Sequence, residues 1–132
     1  MMREFLAVFI GGGCGASLRY ACVRWLFAFE AHRHHAWSPI MLINVLGSFI
    51  MGVLYIVLVK HFAVNAYWRG LLMVGLLGGF TTFSSFSLDA MVAIENGNVS
   101  GALFTVLLSV VGSLSMCFLG IYLAKIFLNY VG

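Results

Sequence analysis

Gly78-Gly79-Phe80-Thr81-Thr82-Phe83-Ser84-Ser85-Phe86-Ser87 sets two glycines, five hydroxyl side chains and three phenylalanines inside an otherwise apolar run. Glycine weakens a helix, and hydroxyl side chains compete for its backbone groups. Hydrocarbon supplies no partner for a freed amide or carbonyl, so such chain at membrane depth lies against protein or a hydrated path. The stretch therefore marks the first place to look for an ion or substrate site.

The surrounding sequence says that the run belongs in a membrane. Of the 132 residues, 63% are hydrophobic and only 8% charged, with a mean hydropathy of +1.07. That balance lies far from soluble domains. Four spans are expected, at about 5–29, 39–59, 68–94 and 102–127. Each meets the roughly 20 residues a helix needs to cross the hydrocarbon core. The fold class is all-α, a single four-helix transmembrane domain (1–132) with the third helix broken near its middle. Arg3 ahead of an apolar run resembles a signal peptide, but the run is long and lacks a small-x-small cleavage site, so it is read as the first helix.

Several readings are set aside. Cys14, Cys22 and Cys117 form no CxxC pair and read as small apolar fillers. A net charge of +3, scattered along the chain, makes no nucleic-acid stripe. Gly11-x-Gly13-x-x-Ala16 matches a dinucleotide fingerprint only as a string, because no βαβ context surrounds it. His32, His34 and His35 read as an interfacial loop rather than a metal site. No nucleophile–base pair points to an enzyme.

Charge leaves the orientation open. With four spans, Arg3, Lys60, Arg69 and Lys125 share one side, against at most three on the other: Arg33, with Arg24 and Arg19 toward the end of the first span. Lys and Arg bias sets topology. Here it is nearly nil, which fits a chain oriented by partners or one that inserts both ways. Gly11-x-x-x-Gly15 and paired glycines in the other spans offer close-packing faces, and a homo-oligomer, most simply a dimer, is the economical expectation.

Two polar residues have competing readings. Arg19 sits well along the first span, either lining an anion-attracting vestibule or snorkelling outward beside Arg24. Asn44 either fixes packing through an interhelical hydrogen bond or donates into an anion path. In the opening stretch, Thr81 or Thr82 can cap a restarted half-helix, and Phe83 and Phe86, three apart, share a face. Phenyl edges carry positive partial charge and can face a small anion.

Taken in order, Gly11-Gly12-Gly13-Cys14-Gly15-Ala16-Ser17-Leu18-Arg19-Tyr20, Asn44-Val45-Leu46-Gly47-Ser48-Phe49-Ile50-Met51-Gly52 and Gly75-Leu76-Leu77 followed by the opening stretch resemble the Fluc, or CrcB, family of fluoride channels. The resemblance covers the whole chain. It implies a dual-topology antiparallel homodimer with two fluoride pores, in the cell inner membrane or plasma membrane. It also implies a structural sodium ion at the dimer interface, held by the backbone carbonyls of Gly78 and Thr81. Phe83 and Phe86 match the family's phenylalanine box, which Phe80 joins or adjoins. Asn44 matches the pore asparagine, Ser84 and Ser85 the polar track, and Arg19 the vestibule arginine. Some members carry a tyrosine where Thr105 stands here, with Ser109 one turn on, and both are placed along the pore. The implied partners are fluoride, a second copy of the chain and lipid. The alternative is a small dual-topology proton-coupled transporter, which needs an intramembrane carboxylate in the first helix; Glu4 and Glu30 lie only at its ends.

Overall fold

The computed structural model describes residues 1–30 and 38–131, with the backbone alone for 27–30 and 131. The histidine loop, with His32, Arg33, His34 and His35, lies outside the described residues. All regular structure among those described is helical: α1 (Met2–Glu30), α2 (Pro39–His61), α3 (66–80), α4 (Phe83–Glu95) and α5 (Val99–Val131). Four helical stretches are long and apolar enough to cross a membrane, with α3 and α4 together forming the third. The helices overrun the expected spans by a few residues at most ends.

Local sequence accounts for the boundaries. Ser38 caps α2 by accepting from the Ile40 amide at 3.1 Å, with Pro39 supplying a pre-set first turn. Asn65 caps α3 in the same way, accepting from the Trp68 amide. Both α2 and α3 contain π-wound stretches, at Tyr55–His61 and Gly70–Leu77. α4 ends at Glu95 with Asn96 as its C-cap, and Gly97, with φ +77, supplies the left-handed residue that turns the chain toward α5.

Packing is organised as two helix pairs. α1 lies chiefly on α3, and α2 chiefly on α5. Glycine makes both approaches possible. A Cβ on Gly15 would stand 2.0 Å from the Leu76 carbonyl oxygen, and one on Gly52 2.2 Å from that of Cys117. Gly79 faces Gly12, and Gly120 faces Phe49, at similar range. The Gly11-x-x-x-Gly15 face is thus spent inside the chain and gives no support for a contact between copies. Between the pairs, Ile43, Leu77 and Phe80 form the buried centre, with Cys22, Val23 and Ile50 against it.

Candidate functional site

The helix of the third span stops at Phe80. Thr81 (φ −85, ψ 155) and Thr82 (φ −155, ψ 123) are extended, and helix resumes at Phe83. The threonines manage the backbone groups that this leaves. Both the Thr81 amide and its hydroxyl donate to the Leu77 carbonyl, each at 2.9 Å. The Thr82 hydroxyl caps α4 by accepting from the Ser85 amide at 3.3 Å, and lies 3.1 Å from the Ser84 hydroxyl.

Asn44 on α2 completes the arrangement. Its Oδ1 accepts from the Thr82 amide at 2.8 Å, and its Nδ2 donates to the Thr82 carbonyl at 2.9 Å. One of its two Nδ2 protons is therefore committed to the backbone, and so is its acceptor. The interhelical bond was one of the two expected readings of this residue.

Beside the extended threonines lies a cavity of about 580 Å³. Its wall includes Asn44, Phe83, Phe86 and Ser109 of the expected pore residues, together with Gly78 and Thr81 of the expected cation ligands. The Phe83 and Phe86 rings lie 5.4 Å apart, inclined at 59°. Phe86 is buried, whereas Phe83 is 76% exposed at the cavity rim. Ser109 is 5% exposed, and its Oγ has no hydrogen-bond partner among the described residues.

Other expected residues stand apart from this wall. Phe80 belongs to the buried centre. Ser84 is exposed and tied to Thr82, while Ser85 approaches the Thr82 hydroxyl at 3.4 Å. Thr105 is buried on α5 but does not line the cavity, and neither does half-buried Arg19 on α1. Thr82, Ser48, Ser113, Met51 and Cys117 line it without having been expected to. Ser48 and Ser113 were within reach of pattern reading, because each falls one turn after an expected residue, Asn44 or Ser109.

Among the described residues the wall offers weak donors and no full charge: amide, hydroxyls and phenyl edges. Such groups suit a small anion held moderately. Asp89, the nearest carboxylate along α4, accepts a hydrogen bond from Ser38 and does not line the cavity.

The family described as "CrcB-like protein, Camphor Resistance (CrcB)" matches residues 6–121. The fluoride-specific ion channel FluC of Chelativorans sp. is 42% identical over 124 residues, covering 94% of this chain and 98% of that protein. FluC of Legionella pneumophila is 40% identical over 130 residues, covering 95% and 92%. FluC 1 of Yersinia pseudotuberculosis is 35% identical over 129 residues, covering 96% and 98%. With a family match over most of its length and relatives of this identity aligned nearly end to end, the chain belongs to the CrcB-like family of multi-pass membrane proteins.

Proposed function

We propose that the protein is a fluoride-specific ion channel, not an enzyme, that conducts fluoride passively and so lowers its cytoplasmic level. The observation that carries this is the convergence of Asn44, Phe83, Phe86 and Ser109 on one cavity, in a chain whose relatives are named fluoride-specific channels. Fluoride is small and strongly hydrated. A path for it must replace water with several donors, none strong enough to trap it. The phenyl edges, the Ser109 hydroxyl and the remaining Asn44 amide proton meet that requirement, with Arg19 drawing anions toward the mouth. Ser84, Ser85, Phe80 and Thr105 belong to this path only insofar as a second copy brings them to it.

The working unit on this reading is an antiparallel, dual-topology homodimer with two pores. Phe83 supports it: an aromatic ring of the candidate site stands mostly uncovered at the open side of the cavity. A second copy laid there would close the path. Charge asymmetry too small to fix orientation is consistent with both insertions.

A structural sodium ion at the interface completes the proposal, and the backbone fits it. In an unbroken helix the Gly78 carbonyl would accept from the Thr82 amide, and the Thr81 carbonyl from the Ser85 amide. Both amides are taken by other acceptors, Asn44 Oδ1 and Thr82 Oγ1. The two carbonyls that would hold the cation are thus among those that the break parts from their helical donors. A bound cation would supply positive charge between the half-helices.

Proton-coupled transport has less support, since no carboxylate among the described residues lines the cavity. Fluoride efflux from liposomes containing the protein, driven by an imposed potassium diffusion potential, tests the two readings. Voltage-driven flux that rejects chloride is expected, slowed at least tenfold by Phe83→Ile or Phe86→Ile. Flux that requires a proton gradient, or wild-type rates in both variants, would refute the channel mechanism.

A further inference from the structure

Asn44 meets Thr82 as a neighbouring β-strand would. An extended residue presents its own N–H and C=O to the same side, which is why antiparallel partners exchange two bonds with one residue. The Asn44 carboxamide carries one acceptor and one donor in the same relation, and it uses both on Thr82 at 2.8 and 2.9 Å. Few side chains can do this. A carboxylate lacks the donor, a hydroxyl is a single short arm, and an aliphatic chain offers neither.

The bond has a remote effect on Gly78. The Thr82 amide has two possible acceptors: Asn44 Oδ1, if Thr82 is extended, or the Gly78 carbonyl, if the helix runs through. Thr81 has its own local tie, through its amide and hydroxyl to Leu77, and Ser85 is satisfied by the Thr82 hydroxyl. At Thr82 the choice is made by a residue of another helix. Asn44 also stands in the wall of the cavity, so one side chain touches both the backbone break and the proposed anion path.

We propose that Asn44 is a positioning residue for the cation site: by holding Thr82 extended it keeps the Gly78 carbonyl available, and it thereby sets the protein's sodium affinity. This rests on the sodium reading above. Without the carboxamide, the Thr82 amide returns to Gly78, the helix closes over the break, and a ligand of the site is lost.

The test is a sodium titration of thermal melting on the detergent-solubilised dimer, with N-methylglucamine holding ionic strength constant. Wild-type protein is expected to melt higher as sodium rises. Asn44→Ala and Asn44→Leu are expected to raise the sodium midpoint at least tenfold, which corresponds to about 1.4 kcal/mol. Ser48→Ala, on the same wall but outside the Thr82 bonds, leaves the midpoint unchanged. A loss of packing alone would lower melting at every sodium level and leave the midpoint where it was, and that result overturns the proposal. Wild-type melting indifferent to sodium overturns the cation site itself, and this inference with it.

A second measurement needs no Asn44 variant. Thr81, Thr82 and Thr105 are the chain's threonines, so ¹⁵N-threonine labelling isolates the Thr82 amide. Its hydrogen exchange in wild-type protein should be slow both with and without sodium, because Asn44 and not the cation holds it. Exchange that is fast, or slow only in sodium, would show that the cation makes the break, and the assignment to Asn44 falls.

Discussion

Replacing Gly15 by alanine places one methyl group where α1 meets the backbone of α3. The added Cβ would lie 2.0 Å from the Leu76 carbonyl oxygen, 2.8 Å from the Phe80 amide nitrogen and 2.9 Å from the Leu76 carbonyl carbon. Ordinary contact begins near 3.4 Å, so the helices must part by about 1.4 Å at this level. No rotamer relieves the clash, because every opposing atom is backbone. Overpacking of this kind costs about 3 kcal/mol, and alanine's better helix propensity returns about 1, leaving a net loss of about 2 kcal/mol. Gly13→Ala on the same helix is the control. Nothing lies within 4 Å of its Cβ, so it keeps the propensity gain of about 1 kcal/mol without the clash. Reversible unfolding in mixed detergent micelles should therefore separate the two variants by about 3 kcal/mol, in opposite senses from wild type. Phe80 is the last helical residue before the extended threonines, so Gly15→Ala should also slow fluoride efflux from liposomes. Two variants with the same sign and similar size would refute the close-packing argument.

Ser109→Ala removes a buried hydroxyl that has no partner among the described residues, and should stabilise the fold by about 1 kcal/mol while slowing fluoride flux; a destabilised variant would show that the hydroxyl is already satisfied. Thr82→Val keeps the side chain's shape and deletes the cap on α4, at an expected cost of about 1 kcal/mol in the same unfolding assay, with Thr82→Ser close to wild type. Equal melting of Thr82→Val and wild type would remove the capping role. Ser38→Ala loses the cap on α2 and its bond to Asp89 together, and should cost more than Asp89→Asn, which keeps an acceptor for Ser38; equal losses would mean that the cap contributes nothing.

Much of the fold was legible because the apolar runs are long and their interruptions few. The four crossing helices follow from hydropathy, and the third starts two residues earlier than expected because Asn65 sets a start that apolarity alone does not mark. The site was only partly legible. Asn44, Phe83, Phe86 and Ser109 do meet at one cavity, but Ser84 and Ser85 do not line it. Two extended residues reset the helical phase, so the faces of α4 cannot be projected from those of α3. The role of Asn44 was ambiguous for a related reason: sequence names the amide but not the backbone group opposite it. The glycine pairs misled in one respect, since a close-packing motif does not say whether its partner helix belongs to the same chain.

The pairing of α1 with α3 and of α2 with α5 also bears on how the protein is made. A nascent chain releases its spans in order, yet neither close pair consists of neighbours in that order. The first helix enters the bilayer with its glycine groove empty and waits for the third; the second waits for the fourth. Lipid tolerates such waiting, because a bare groove in hydrocarbon carries no penalty of the kind that water would impose. A ribosome that stalls after two spans therefore leaves a product in which both helices lack their mates; a third span lets the first pair close, and only the fourth closes the second. Interleaving defers both closures to the second half of synthesis, and a chain stopped after two spans is recognisable by two vacant grooves at once.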